Sequence, residues 1–273
     1  MSHSLPVIVG FGGYNAAGRS SSHQAFRRMV LESLPAAEQH KTVVGLACLM
    51  GHVQKQEQGY TDKEGEKLSA EQVDTSYRAQ VLDGTLIRKI GLFDPSAVSG
   101  HKKINVGAEG LVFTMTKRDL PANLPQDWQI RDFEDGTVEV TATKPGEYLV
   151  KTNHELIAKA AGELPTGFNP ADHYNSRFHP RGLQMALLGS SDALHSMGIP
   201  WDKVADHVRP DQVGVYSSSA LGQMTEEGFA GLFQARLKGN RTTAKQVPMA
   251  LNSMPADFIN AYVLGSVGHT EAI

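Results

Sequence analysis

The sequence is poor in cysteine, with one among 273 residues. An internal disulfide framework and a cysteine-cluster metal site both need several thiols, so both are excluded. Cys48 and His52 stand at i and i+4 of a predicted helix, which would suit a thiolate–imidazole pair or two metal ligands. Cys48 also lies within the apolar run 43–50, where a cysteine acts as a small hydrophobic residue. We favour this second interpretation.

Long apolar runs and an excess of charge of one sign are also missing. No stretch approaches the ~20 consecutive apolar residues of a membrane span, and residues 1–6 lack the basic start and apolar core of a signal peptide. Lys and Arg number 26 and Asp and Glu 29, a net charge of −3, which excludes a generally basic nucleic-acid binder. We expect a cytoplasmic protein that binds neither nucleic acid nor membrane.

Two catalytic or nucleotide-binding motifs are absent, and a third is incomplete. The sequence holds no G-x-x-x-x-G-K-[ST] loop and no G-x-S-x-G elbow, so neither a P-loop nor an α/β-hydrolase is indicated. Gly10, Gly12 and Gly13 follow a predicted strand, but Asn15 stands where dinucleotide binding needs a third glycine. The glycines therefore predict a tight strand-to-helix turn, and we expect no cofactor.

Polar residues are dense in the stretch 175–181, just before a helix predicted to start at Pro180. Its two arginines could hold an anion near the helix N-terminus. Its side chains could instead fix the loop by buried hydrogen bonds, which we favour because helix starts need side-chain partners. His173, His179 and His207 lack metal-ligand spacing, so no metal site is expected. The serines 217–219 predict a closely packed loop rather than a nucleophile.

The rest of the sequence alternates strand and helix patterns. The predicted elements before residue 92 are a buried strand over 5–9, helices over 25–34 and 36–52, an exposed loop over 53–68, and a helix over 70–90 with Ser69 and Gln72 as a capping box. Residues 92–152 predict antiparallel hairpins, with strands at 111–115 and 137–141. The later predictions are a helix from Asn153 through Ala161, a helix from Pro180 to Gly198, a buried strand at 213–216, and helices over 229–237 and 254–264.

Several of these segments resemble β-ketoacyl-acyl carrier protein synthases, the condensing enzymes of the thiolase superfamily. Leu5–Gly12 resembles their first strand and loop. Residues 183–268 carry the stronger likeness, in order and spacing: Ala186 with Asp192-Ala193-Leu194 and Gly198-Ile199, then Val213-Gly214-Val215 and the serine loop to Gly222, then Leu237-Lys238-Gly239, Val247-Pro248, and Asn252-Ser253-Met254 through Gly265. Together they cover about half the chain. The long, divergent synthases of some Gram-negative bacteria, which help to start fatty acid synthesis, are the most similar.

The resemblance implies an α/β fold: a thiolase-like first half, with a mostly parallel sheet flanked by helices and an inserted helical and β-rich subdomain. It divides the chain into the first strand and helix (1–35), the insertion (36–152, β-rich from 92), and the remainder of the first half (153–273). In the family the nucleophilic cysteine follows the glycine matching Gly265 by about a dozen residues, and the two catalytic histidines lie further on. We therefore expect no catalytic residue within these 273.

The resemblance also implies pocket walls and partners. The loop Ser219, Ala220, Leu221 and Gly222 matches the family loop that lines the acyl channel, and Met249, Ala250 and Leu251 match the segment that reaches the partner's pocket in the dimer. Ordinary core packing is the alternative for both. The implied partners are acyl carrier protein, acyl and malonyl thioesters, and a second copy in the complete enzyme.

The expected function is that of the N-terminal part of such a synthase, inactive by itself. Two alternatives stay open: a non-catalytic scaffold or carrier-protein-binding module that pairs with a complete synthase, and a truncated product without function. An uncovered apolar face would make such a product prone to aggregate.

Overall fold

The structure is a computed structural model that describes residues 5–120, 123–176, 178–219, 221–237 and 239–265. Its α-helices are α1 (Gln24–Met29), α2 (Ala36–Leu49), α3 (Ala70–Asp83), α4 (Arg181–Ser196), α5 (Trp201–Ala205), α6 (Phe229–Gln234), α7 (Gln246–Ala250) and α8 (Met254–Ile259). A π-helix, Asn260–Leu264, continues α8. Short 3₁₀ helices lie at Ser21–His23, Leu31–Ser33, Lys117–Asp119, Pro170–His173 and Pro210–Gln212.

The strands are short. They are β1 (Tyr14–Asn15), β2 (Gly18–Arg19), β3 (Val53–Lys55), β4 (Tyr60–Asp62), β5 (Lys67–Leu68), β6 (Ile87–Lys89), β7 (Val98–Val106), β8 (Leu111–Thr116), β9 (Trp128–Asp132), β10 (Thr137–Ala142), β11 (Gly146–His154) and β12 (Ala160–Gly162). They pair as β1-β2, β3-β4-β5, β8-β10-β9, β7-β11 and β6-β12. The chain divides into two compact units, one of residues up to Arg88 and from Ala161 onwards, the other of residues 89–160.

In the first unit, α2 and α3 pack together around an apolar core. Its largest fully buried side chains are Val43, Leu46, Met50, Val73 and Val81. The predicted capping box is confirmed: the Ser69 hydroxyl accepts the Gln72 amide hydrogen, and the Gln72 side chain accepts that of Ser69. The prediction of a plain loop over 53–68 is wrong, because β3, β4 and β5 form an antiparallel sheet there.

A second core joins α4 to the C-terminal helices of the same unit. Leu183 and Leu187 of α4 are fully buried against Ile259 and Val263. As predicted, α4 follows Pro180, and the chain leaves the helix through Gly198 in the left-handed conformation, at φ 71°. These contacts fix the helix Met254–Leu264 relative to α4.

The glycine loop of residues 10–13 lies directly on α4. A Cβ atom on Gly12 would overlap the backbone of Asp192 and Ala193, so only glycine permits this approach. The Asp192 carboxylate accepts hydrogen bonds from the Gly13 amide at 3.0 Å and the Ser21 hydroxyl at 2.6 Å, and it pairs with Arg19. These hydrogen bonds hold the start of the chain against α4, in agreement with the predicted tight turn.

The two segments predicted as buried strands, 5–9 and 213–216, are not strands. Residues 5–9 are exposed, whereas Val213 and Val215 are half-buried and Val215 packs against the second core. Ile8 is 90% and Tyr216 98% exposed. Among the described residues, no backbone group of Val7–Val9 or of Gly214–Ser218 makes a backbone hydrogen bond. The pairings with a determined direction are antiparallel. The expected mostly parallel sheet is therefore not formed by the described residues, because its extended segments have no neighbouring strand.

The second unit is β-rich. Paired antiparallel strands confirm the predicted hairpins: Val138 and Val140 of β10 lie opposite Met115 and Phe113 of β8. Val138, Val140 and Ala142 are fully buried on one face of the sheet, as period-two alternation requires. The predicted helix from Asn153 through Ala161 is wrong, since β11 pairs with β7 along its whole length to His154.

Candidate functional site

The serine loop lies against the first turn of α4. The Ser219 hydroxyl accepts a hydrogen bond from the Gly222 amide at 3.0 Å, which closes the loop on itself. The Gly222 carbonyl accepts a second from the Gly182 amide at 2.6 Å. A side chain on Gly182 would collide with the Gly222 backbone. Ala220, also predicted as a pocket residue, lies outside the described residues.

The second predicted pocket segment lies beside this loop. The Ser219 amide donates to the Asn252 carbonyl at 3.0 Å. The Gln223 side-chain amide donates to the Leu251 carbonyl at 2.9 Å. The two segments, separated by nearly thirty residues, therefore form one surface.

The predicted pocket residues do not all face the same way. Met249 packs against the second core, and Ala250 is buried. Leu221 is 77% and Leu251 50% exposed. The two leucines thus offer apolar surface to a ligand or another chain, whereas Met249 and Ala250 support it from inside.

Gln223 belongs to this surface, and the sequence reasoning did not single it out. It is 2% exposed, and its Oε1 atom has no partner within the described part of the chain. The Thr225 hydroxyl, two residues later, is likewise buried and has no hydrogen-bond partner among the described residues. A buried acceptor without a donor is costly and uncommon. The sequence feature that could have pointed to Gln223 is slight: it is a polar residue directly after the small-residue loop.

The polar stretch 175–181 acts chiefly through hydrogen bonds within the fold. The Ser176 hydroxyl donates to the Ala171 carbonyl at 2.7 Å, and Arg181 donates to the Asn169 side chain at 3.1 Å. Burial lowers the pKa of Arg181. These bonds favour the loop-fixing interpretation, although Arg177 lies outside the described residues.

His179 and Tyr174, in this same stretch, form a buried pair. The Tyr174 hydroxyl lies 2.9 Å from His179 Nδ1, and His179 is 4% exposed. Burial lowers the pKa of His179. Burial, with a contribution from Tyr262, raises the pKa of Tyr174 well above its usual value. The imidazole is therefore neutral at pH 7, and its Nδ1 atom shares a hydrogen bond with the Tyr174 hydroxyl.

Cys48 and His52 do not form a thiolate–imidazole pair. Burial raises the pKa of the Cys48 thiol, an effect only partly offset by Lys55. Burial and the neighbouring Lys63 lower the pKa of His52, whose ring stacks on Tyr77 at 5.2 Å. A neutral thiol in an apolar environment is a poor nucleophile, so the interpretation of Cys48 as a small hydrophobic residue is the better one.

Neither a cluster of metal-ligating side chains nor a membrane-spanning helix occurs among the described residues. Within them, no three His, Cys, Asp or Glu side chains are grouped as a metal site would require. No helix there has both the length and the apolar character needed to cross a bilayer.

Comparison with known proteins identifies similar sequences and structures. No family model matches the chain. It is 48% identical, over 98% of its length, to the β-ketoacyl-acyl carrier protein synthase FabY of Pseudomonas aeruginosa, of which it covers 43%. The crystal structure of the noncanonical ketosynthase FabY from the same organism superposes with a TM-score of 0.86 at 47% identity, covering 100% of this chain and 44% of that one.

These matches confirm the resemblance to divergent β-ketoacyl-acyl carrier protein synthases and the thiolase-like α/β fold class. The chain spans less than half the length of both proteins.

Proposed function

We propose that this chain forms the N-terminal part of a cytoplasmic β-ketoacyl-acyl carrier protein synthase of fatty acid biosynthesis. The complete enzyme would be a homodimer that takes acyl and malonyl groups from acyl carrier protein. A cysteine thiolate attacks the acyl thioester and releases the carrier thiol. The malonyl thioester then loses carbon dioxide, and its carbanion attacks the acyl-enzyme and releases the cysteine.

The chain by itself does not catalyse this condensation in our proposal. The resemblance assigns the cysteine and both histidines to a part of the synthase that these 273 residues do not match. Cys48 cannot substitute, because burial raises its pKa and so keeps the thiol protonated.

One observation carries the proposal: the two extended apolar segments, 5–9 and 213–216, have no neighbouring strand among the described residues. Val7, Ile8 and Val9 are each at least 66% exposed, and Tyr216 is 98% exposed. Their backbone groups lack backbone partners among the described residues. An apolar strand with free donors and acceptors is a template for pairing. Strands from the remainder of a synthase would cover these side chains and restore the parallel sheet.

Within the complete enzyme, we propose that Ser219, Ala220, Leu221, Met249, Ala250 and Leu251 form the wall of the acyl pocket, with Met249 and Ala250 behind the exposed leucines. The hydrogen bond from Ser219 to Asn252 supports this, because it holds both segments in one surface. The exposed side chains of Leu221 and Leu251 supply the apolar contact an acyl chain needs.

Complementation tests the proposal. The purified chain is assayed for condensation of acyl- and malonyl-carrier protein, alone and mixed with the part of the P. aeruginosa synthase that it does not match. We expect no product from the chain alone, and a stable complex with condensing activity from the mixture. Turnover by the chain alone, or no complex in the mixture, would contradict the proposal.

A matched pair of proline variants tests strand pairing within this experiment. Ile8→Pro removes a backbone donor that has no backbone partner among the described residues, so the chain should fold as before but lose the complex. Ile157→Pro is the control, because this isoleucine of the second unit is equally exposed and lacks a hydrogen bond in the described structure. Inactive co-purification with an intact synthase would instead indicate the scaffold function.

A further inference from the structure

His179 lies in a site walled by aromatic rings. The rings of Phe258 and Tyr262 stand nearly perpendicular to the imidazole, with centroids 5.0 and 5.2 Å away. The Tyr174 ring packs at 5.5 Å, with its hydroxyl 2.9 Å from Nδ1. One imidazole thus contacts both the loop before α4 and the helix Met254–Leu264.

No charged group in the described structure compensates a charge on this imidazole. The loop contributes the Tyr174 hydroxyl, the C-terminal helix contributes Phe258 and Tyr262, and α4 contributes Gln184, whose side-chain amide donates to the His179 carbonyl at 2.8 Å. None of the observed ion pairs includes His179. Tyr174 keeps its proton, and in the tautomer with the imidazole proton on Nε2 its hydroxyl donates to the neutral Nδ1 atom.

The backbone around His179 leads directly to the proposed acyl-pocket surface. Three residues later, the Gly182 amide donates to the Gly222 carbonyl at 2.6 Å and so holds the serine loop. Met249, from the second segment of that surface, packs in the same apolar cluster as Tyr174 and Tyr262. A displacement of the His179 ring would therefore move both segments that form this surface.

We infer that Tyr174 and His179 are a positioning pair: the neutral pair holds the serine loop and the helix Met254–Leu264 in place, and a proton on His179 releases them. Protonation turns Nδ1 into a donor, so the Tyr174 hydroxyl loses its acceptor, and it puts an uncompensated charge among aromatic rings. The link to an acyl pocket rests on the proposed function, but the positioning itself belongs to this chain.

The chain contains its own reporter for this release. The Trp201 indole donates to the Leu264 carbonyl at 2.9 Å, at the end of the helix that His179 contacts. The sequence has two tryptophans, and the other, Trp128, lies in β9 of the second unit. A Trp128→Phe background therefore leaves Trp201 as the single tryptophan, whose emission can be excited selectively over that of the tyrosines.

The experiment is a pH titration of Trp201 fluorescence from about 8 to about 5, with hydrogen exchange of residues 219–224 and 258–264 at both ends. We expect one transition with its midpoint below the ~6.5 of a free histidine, and faster exchange in both segments at low pH. His179→Phe keeps an aromatic ring but cannot be protonated, and should abolish the transition. His207→Gln, at an exposed histidine of the same unit, should leave it unchanged.

Tyr174→Phe covers the case in which His179→Phe fails to fold. Removing the donor to the neutral imidazole should move the midpoint to higher pH. An unmoved midpoint in that variant, a transition that persists in His179→Phe, or no transition in the parent would each overturn the inference. No measurement uses a substrate. If the chain shows the transition but fails complementation, the positioning role of Tyr174 and His179 stands and the proposed function fails. If the chain passes complementation but shows no transition, only the positioning role is refuted.

Discussion

The Asp192 carboxylate accepts a hydrogen bond from the Gly13 amide at 3.0 Å, although 179 residues separate the two in the chain. Asp192 is 2% exposed, and it also accepts from Ser21 and pairs with Arg19. One side chain of α4 therefore fixes the glycine loop and the chain that follows it.

Asp192→Asn should destabilise the first unit substantially. The amide keeps one acceptor oxygen but loses the charge that pairs with Arg19, and its NH₂ group then faces donors. We expect a loss of about 2–3 kcal/mol in the free energy of unfolding, measured by urea denaturation. Asp211→Asn is the control: its pair with Arg209 is exposed, so its loss should be below about 0.5 kcal/mol. Equal losses would contradict the role assigned to Asp192.

Gly12→Ala should also destabilise the chain, because the new Cβ atom would overlap the backbone of α4. The expected cost is about 1–3 kcal/mol in thermal or urea unfolding, the usual range for overpacking. Gly189→Ala is the matched control. It lies within α4, and its Cβ atom would meet Gly13 at an ordinary 3.6 Å. Alanine there should be neutral or stabilise by up to about 1 kcal/mol; a loss as large as that of Gly12→Ala would argue against the packing account.

Gln223→Glu tests the role of the buried Gln223 side chain in the candidate site. The carboxylate cannot donate to the Leu251 carbonyl and would be buried without a cation, so its pKa in the folded chain should rise. With a raised folded pKa, the penalty is small below the ~4.3 of an unfolded glutamate, grows as pH rises from there to the folded pKa, and is constant above it. Urea unfolding at several pH values measures this. Gln234→Glu, exposed in α6, should show no such trend.

Cys48 should react slowly with thiol reagents. Burial raises its pKa, so less thiolate is present near pH 8 than for free cysteine, and its partial burial limits access. As the one cysteine in the sequence, it can be followed by simple alkylation kinetics. The rate should return to that of free cysteine in concentrated urea. Fast alkylation of the folded chain would show an activated thiol and reopen a chemical role for Cys48.

Local signals in the sequence sufficed for several elements. The Ser69 and Gln72 capping box marked the start of α3 because both hydrogen bonds form within one helical turn. Alternating residues in 111–115 and 137–141 marked β8 and β10 because a strand has period two. Gly198 marked the end of α4 because it adopts a positive φ without strain.

Other features depended on distant partners and were missed. The sheet of β3, β4 and β5 lies in a polar stretch whose strands are only two or three residues long, too short for alternation to be recognised. Asn153 would be a good N-cap for a helix over 153–161. Instead, β7 pairs with β11 through His154, so the backbone of Asn153 and His154 belongs to a sheet. Pairing with a distant strand outweighed the local preference.

For the candidate site, the resemblance supplied Ser219–Leu221 and Met249–Leu251, but neither the part played by Gln223 nor the pairing of Tyr174 with His179. By itself, the sequence determined which segments are apolar, where helices begin and end, and which family the chain resembles, because those signals are local or depend on the order of motifs. Only the tertiary structure decided which segments meet, through the hydrogen bonds from Ser219 to Asn252 and from Gly13 to Asp192. It also left 5–9 and 213–216 without a paired strand among the described residues, since a strand forms only where another backbone lies beside it.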